Sequence, residues 1–451
     1  MSANFLTPGL RLVIAASVFA LFVFFAMWRV HGKIIDPTDP HGSEQVGRNG
    51  MADFRDVIYF PTRAVAEGIN PYDSSSEPLA DGSPRYWQRY PVLNLFPLYS
   101  PLVLLLFGAF ALPDFYTAAA AFQVLNLALL LIWSYLIWKH ADQTPTAERV
   151  LWLATAMLIT QAGRAIFIGG ETAIPLAIGT LLAAVHASRH PTTAGWALAL
   201  TSFKPTFGLP LGLLLLFRRE WKAVFLGWGL GFVIAVAGLI AIFGQTNDLA
   251  RLPQIILQNQ RDLESHPEAT ALTTSTRIDS AAALERWFQL KSSTGRLAVF
   301  LTIFVLAGTT LSRLSYHVQE PEAERLLQIV TLVGTVACMY RLTYDGIALW
   351  AAIGLLWFSP AEGWKNTSPQ LRGWLGGLLL FTQINILPTE FFRKFLVQVG
   401  LTAQIPLPLA QLSWTLACIL NGLALLVVLI LLFIQARKWP NPREIAPAKA
   451  R

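Results

Sequence analysis

The stretch from Leu12 to Trp28 reads LVIAASVFALFVFFAMW, seventeen residues without a charge. As a helix rising about 1.5 Å per residue, such a run nearly crosses a hydrocarbon core about 30 Å thick. Comparable apolar runs recur to the C-terminal region. Of the 451 residues, 54% are hydrophobic and only 14% charged, with a mean hydropathy of +0.50; ordinary soluble domains carry roughly a quarter charged residues. The reading is an all-α polytopic membrane protein, expected as a bundle of about 10–12 transmembrane helices. No small-residue cleavage site follows Trp28, and Pro37 and Pro40 lie in a polar loop, so this run is expected to be a retained span.

Net charge is +7. The basic residues form short clusters beside apolar segments, such as Arg218, Arg219 and Lys222, or Arg437, Lys438, Arg443, Lys449 and Arg451. That distribution sets topology and touches anionic lipid; it offers no basic face to a nucleic acid. Cys338 and Cys418 both lie inside apolar runs, which supports neither a disulfide framework nor a soft-metal site.

Placing 139–149, 188–190, 218–222, 313–325, 365–372 and the tail on the cytoplasmic side gives one consistent path. Residues 30–95, 169–171, 244–296, 341–345 and 389–411 then face outward. The expected spans are 12–29, 115–138, 150–168, 172–188, 223–243, 297–312, 326–340, 344–358, 373–388 and 412–436. Both termini are cytoplasmic on this path. Residues 1–438 form one transmembrane domain, with long outer loops at 30–95 and 244–296 and a cytoplasmic tail at 439–451.

Two apolar stretches do not fit as simple crossings. The stretch 95–112 starts in the outer loop and carries Pro97 and Pro101; the stretch 194–217, about 36 Å long if helical, has basic residues at both ends. Each is expected to be a re-entrant or broken segment, the alternative being an ordinary span with imperfect charge bias. Irregular backbone at membrane depth survives only where it is buried in protein or lines a cavity, so both are candidate walls of a site.

The second contains Phe203-Lys204-Pro205-Thr206-Phe207-Gly208-Leu209-Pro210. Proline turns Lys204 away from helical geometry, and an ammonium there costs about 2.5–3.5 kcal/mol unless it finds a partner or water. Lys204 is either a site residue or a lysine snorkelling to the surface. Arg164, shortly before Gly169-Gly170-Glu171, either grips a phosphate through paired hydrogen bonds or pairs with Glu171. The polar island Tyr340-Arg341-Leu342-Thr343-Tyr344-Asp345 surfaces on the same side as residues 30–95; Arg341 and Asp345 serve a site there or form a salt bridge across a tight turn.

The most chemical segment is Ala52-Asp53-Phe54-Arg55-Asp56-Val57-Ile58-Tyr59-Phe60. Asp53, Asp56 and Tyr59 are spaced by three, which on an α-helix gives them one face. One carboxylate suffices as a general base, with the other orienting a sugar or tuning the first. Two carboxylates without further ligands are a weak metal signal, and no cofactor is expected. The alternative is a hydrated acidic loop.

Asp53-Phe54, Tyr59-Phe60, Arg63-Ala64 and Glu67-Gly68-Ile69-Asn70-Pro71-Tyr72-Asp73 together resemble the first outer loop of the bacterial glycosyltransferase family 87. Tyr90-Pro91 with Tyr99-Ser100-Pro101-Leu102, the stretch Arg164 to Leu181, the stretch Ala194-Gly195 through Lys204-Pro205 to Trp221, and Tyr344-Asp345 resemble later pieces in the same order. The resemblance implies a GT-C fold and a hexosyltransferase of the cell envelope. Such an enzyme moves a sugar, mannose in characterised relatives, from a polyprenyl-phosphate carrier to a glycolipid or glycan at the outer face of the bacterial cytoplasmic membrane. It also implies that the catalytic base is the first-loop carboxylate, Asp53 with Asp56 as competitor. The family often has Gly-Gln where this chain has Gly170-Glu171.

A phosphate leaving group held by cations needs no general acid, so Arg164 and Lys204 with a single base would give inversion in one displacement. Substrate contacts are expected from Tyr59, Arg164, Glu171, Lys204, Arg341, Tyr344 and Asp345. In the outer loop from Asn259 to Thr276, His266 either contacts acceptor sugar or is simply solvated. The rival class is a transporter or flippase of a lipid-linked sugar; it would favour symmetry between halves, and none is evident.

Overall fold

A computed structural model describes residues 7–34, 50–73, 85–90, 96–246, 248–265, 272, 277–290, 292–339, 341–384 and 407–440. The described chain is helical, and its only bridges outside helices are Ile34 with Gly50 and Arg277 with Leu342. Helix α1 (Pro8–His31) starts at Thr7, whose side chain accepts from the Leu10 amide, with proline at the first position. The first connection carries α2 (Ala52–Phe54), a π-helical turn Arg55–Tyr59, α3 (Phe60–Ala66) and α4 (Tyr86–Arg89).

Short, irregular pieces follow where a simple crossing does not fit: a 3₁₀ turn at Phe96–Leu98, α5 (Leu102–Phe107) and a second 3₁₀ turn at Gly108–Ala111. Asp114 then caps α6 (Phe115–His140). The expected single span 150–168 is two helices, α7 (Ala147–Ile159) and α8 (Gln161–Gly169), bent by 78°. Thr160 causes the bend: its backbone is extended, its hydroxyl donates to the Met157 carbonyl and its oxygen accepts from the Gly163 amide. A methyl group on Gly163 would lie 2.1 Å from the Met157 oxygen, so the corner admits only glycine.

Helices α9 (Ala173–His186), α10 (Pro191–Thr201) and α11 (Pro205–Phe217) are short, and the 194–217 stretch breaks at Ser202–Lys204 as its proline predicts. Then come α12 (Trp221–Gln245), α13 (Leu252–Ser265), α14 (Ser280–Trp287), α15 (Ser293–Leu314) and α16 (Pro321–Ala337). A 3₁₀ segment, Thr343–Ala348, leads into α17 (Leu349–Phe358), followed by α18 (Pro369–Ile384) and α19 (Leu407–Ala436).

Among the described residues, five helices are long and apolar enough to cross a membrane, or six if α7 and α8 make one bent span. The chain is therefore an all-α polytopic membrane protein. Other segments expected as crossings, such as α9 and Thr343–Phe358, are shorter apolar helices of 10–17 residues. Helix α16 is the centre: every residue from Leu326 to Ala337 is buried, against α9, α11, α15, α17 and α19. Its two mid-helix threonines, Thr331 and Thr335, satisfy their hydroxyls on carbonyls four residues back. By contrast α1 and α12 expose most of their apolar surface, as helices facing lipid do.

The polar connections sort into two sets. Gln143, Thr144, Ser188, Arg218, Glu220, Glu322, Glu324, Asn366 and Trp439 join one end, through pairs such as Arg189–Glu324, Arg325–Asp142 and Ser188–Glu220. The connections after α1, α8, α10, α12 and α16 meet at the other, through Met51–Ile168, Ser100–Phe203, Asn70–Asp248 and Ile278–Arg341. This grouping matches the charge-based partition of the sequence into two sides.

Candidate functional site

At that second end the first connection is folded against the α8–α9 turn. Met51, in left-handed backbone (φ 59°), donates its amide to the Ile168 carbonyl at 2.6 Å. Gly170 is also left-handed (φ 74°), and a methyl on it would lie 2.7 Å from Phe54 Cβ. The glycine pair thus lets two backbones approach closely enough for Asp53 to reach Glu171.

Asp53 is half-buried and Glu171 buried, and their carboxyl groups share a hydrogen bond. A methyl on Gly169 would lie 2.7 Å from Asp53 Oδ2 and 3.5 Å from Glu171 Oε1, so Gly169 floors the pair. Burial pushes Asp53 above the usual carboxylate range, against the pull of the Glu171 hydrogen bond and of Lys204. Burial pushes Glu171 well above its usual value, and the neighbouring Asp53 adds to the effect.

The spacing of three between Asp53, Asp56 and Tyr59 does not give a shared face. The π-helical turn from Arg55 to Tyr59 widens the repeat and sends the three side chains apart. Asp56 is buried against Arg55, with contacts of 2.7 and 3.2 Å. Burial nevertheless raises its carboxyl to about 7, with Arg55 pulling it back. The Tyr59 hydroxyl donates to the Pro113 carbonyl at 3.2 Å, and its ring packs between Phe54 and Phe115.

Lys204 comes from the α10–α11 break, in extended backbone (φ −115°, ψ 95°) imposed by Pro205. It does not snorkel: it is buried, with Nζ 2.9 and 3.3 Å from the two oxygens of Asp345. Its ammonium lies 4.8 Å from the centre of the Tyr344 ring, 5.7 Å from Phe207 and 5.8 Å from Tyr99. Asp345 also accepts from the Leu342 amide, which fixes the turn that carries it. Arg341 is fully buried beside this group; its guanidinium stacks 3.9 Å above Phe207 and donates to the carbonyls of Thr206 and Thr335.

Asp53, Glu171, Lys204, Tyr344 and Asp345 therefore converge, each acting electrostatically on others of the set. Arg164 does not join them. It is exposed on α8, beside Arg29 of α1, and Glu171 faces Asp53 instead. His266 lies outside the described residues. Asp345 is held by Lys204, and among the described residues no group of three or more His, Cys, Asp or Glu side chains is arranged to hold a metal ion.

Sequence reasoning passed over Tyr99 as a site residue. It is buried, its side chain bonds Thr172, and its ring stacks on Phe203. Its signal was the position beside Ser100-Pro101 in an irregular stretch. The run Asn70 to Asp73 is also explained: Asp73 pairs with Arg85 and Arg251, and Asn70 donates to Asp248. Those contacts tie the first connection to the segment after α12, beside the site.

The sequence model of glycosyltransferase family 87 matches residues 97–360, more than half of the chain. The match includes Tyr99, Arg164, Glu171, Lys204, Arg341, Tyr344 and Asp345 and begins after Asp53 and Asp56. No curated protein and no solved structure matches the chain.

Proposed function

We propose, from the premise that this chain belongs to glycosyltransferase family 87, that it is a membrane hexosyltransferase using a polyprenyl-phosphate sugar, mannose in the first instance, and transferring it to a glycolipid or glycan acceptor. The reaction takes place at the end of the bundle where Asp53, Glu171, Lys204 and Asp345 meet. That end faces away from the cytoplasm of a bacterial inner membrane, and both termini lie in the cytoplasm. Residues 1–438 act as one transmembrane unit, with the loops 30–95 and 244–296 around the reaction site.

The observation that carries this reading is the convergence of the carboxylate of a partly buried residue, Asp53, with a buried ammonium from a helix break about 150 residues later in the sequence. Asp53 takes the proton of the acceptor hydroxyl while that oxygen attacks the sugar anomeric carbon. The bond from that carbon to the phosphate oxygen breaks, and its electron pair leaves on the lipid phosphate. Lys204 has three ammonium donors, two of them directed to Asp345; among the described residues the third has no hydrogen-bond acceptor, and it meets the charge that develops on the phosphate. The phenols of Tyr99 and Tyr344 line the same place. One displacement by one base inverts the anomeric centre.

Asp56 in this scheme supports Arg55 and the loop and does not take a proton from the acceptor. Arg164 and Arg29 present two exposed cations at the same end, suited to a lipid-linked phosphate arriving from the bilayer. The test is transfer of labelled sugar from a polyprenyl-phosphate carrier to a glycolipid acceptor, in right-side-out and inverted vesicles containing the protein. Transfer in right-side-out vesicles supports the reading. Transfer from a nucleotide sugar alone, or only in inverted vesicles, contradicts it.

A further inference from the structure

Around the reaction site, the nearby cations are already engaged: Arg55 with Asp56, and Lys204 with Asp345. Among the described residues neither Asp53 nor Glu171 has an ion pair, and the two carboxyl groups bond to each other over Gly169. Two carboxylates in such contact cannot both be ionised without a counter-charge, so one of them carries a proton. The better solvated group ionises first. Asp53 is half-buried, whereas Glu171 is only 3% exposed.

We propose that Glu171 is a positioning residue for the reaction, keeping its proton throughout and donating it in the hydrogen bond that holds Asp53 ionised and aimed at the acceptor hydroxyl. This rests on Asp53 being the base. During transfer the acceptor proton moves to Asp53, the new bond forms at the anomeric carbon and the phosphate leaves with its electron pair; Glu171 neither gains nor loses a proton. The groups facing the pair are Arg55 from the first connection, Lys204 from the α10–α11 break, Asp345 and the Tyr344 phenol from the segment after α16, and the Tyr99 phenol. The sharing of roles follows from the chain's own turn: left-handed Gly170 reverses the backbone after α8 and presents Glu171 to the first connection.

This role differs from direct sugar binding in what glutamine does at position 171. A glutamine amide is the neutral isostere of a protonated glutamate and donates the same hydrogen bond, yet it cannot ionise. The experiment compares full-length wild type, Glu171→Gln, Glu171→Ala and Asp53→Asn in membranes, following kcat/KM for sugar transfer from acid to alkaline pH. Glu171→Gln is expected within about threefold of wild type at its optimum, inside the spread of one hydrogen bond. Glu171→Ala is expected to lose about 10- to 100-fold, the scale for removing a group that orients a catalytic one. Wild type should also lose rate at alkaline pH as Glu171 ionises, and Glu171→Gln should not, a difference that a purely structural role would not produce.

A Glu171→Gln variant as inactive as Asp53→Asn would overturn the inference alone, because an ionisable carboxyl would then be needed at 171. Full activity in Glu171→Ala would overturn it equally. Full activity in Asp53→Asn would instead remove the base, and this inference with it.

Discussion

Lys204 Nζ lies 2.9 Å from Oδ1 of Asp345, across 141 residues of sequence, with both side chains buried. Neither residue comes from the interior of a regular α-helix: one sits in the helix break forced by Pro205, the other in the 3₁₀ segment before α17. A buried ammonium is tolerated here because it is paired and ringed by aromatic faces. The pair fixes the distance between two irregular segments that form the walls of the site.

A buried ion pair loses more when one partner is removed than when both are. Lys204→Met and Asp345→Leu are each expected to cost about 3–5 kcal/mol, and the double variant less than either. Thermal unfolding in detergent measures this. Equal destabilisation by the double variant and the sum of the singles would mean that the two residues do not interact.

Gly169 and Gly170 separate two kinds of damage. Gly169→Ala puts a methyl 2.7 Å from Asp53 Oδ2, in ordinary backbone. It is expected to lower sugar transfer strongly while the fold remains. Gly170→Ala meets Phe54 and requires left-handed backbone, which costs about 1–2 kcal/mol for a residue with a Cβ. It is expected to lower both the unfolding temperature and activity. Unfolding curves measured beside transfer rates check the distinction.

Activity should fall on acidification at a higher pH than an ordinary aspartate would give. The sign follows from burial: it disfavours the charged form, so Asp53 takes up a proton at a higher pH than usual, and the protonated form cannot act as a base. The acid limb of kcat/KM measures this directly. Removing the hydrogen bond from residue 171, as in Glu171→Ala, should move that limb further upward, because the bond stabilises the ionised form.

Arg164→Ala tests the proposed approach of the lipid phosphate. Its guanidinium is exposed beside Arg29 and outside the buried cluster, so its loss should raise KM for the lipid-linked donor by about tenfold and leave kcat nearly unchanged. Steady-state kinetics with varied donor distinguish this from a fall in kcat, which would place Arg164 at the reacting atoms.

Much of this arrangement is legible in the sequence because membranes constrain it so strongly. Apolar runs reveal the helices, Lys204-Pro205 reveals the break, and the charge clusters sort the connections onto two ends. What was hidden is local. Hydropathy cannot register the 78° bend at Thr160, which depends on a hydroxyl and a glycine corner. The spacing of three in 53, 56 and 59 suggested one face, but the π-helical turn spends Asp56 on Arg55 and Tyr59 on Pro113. Arg164 and Glu171 looked like partners seven residues apart, whereas Gly170 turns Glu171 towards the first connection. Side-chain partners across long sequence separations, such as Lys204 with Asp345, follow from tertiary packing that no local pattern encodes.

The most direct test of the reaction site separates the two aspartates of the first connection. Membranes with wild type, Asp53→Asn or Asp56→Asn are incubated with labelled polyprenyl-phosphate mannose and a glycolipid acceptor, and donor binding is measured on the same preparations. Asp53→Asn is predicted to bind donor and lose at least about 100-fold in transfer, the scale for removing a positioned base, while Asp56→Asn keeps transfer within about tenfold and loses thermal stability. Undiminished transfer by Asp53→Asn, or its loss only in Asp56→Asn, would contradict the account.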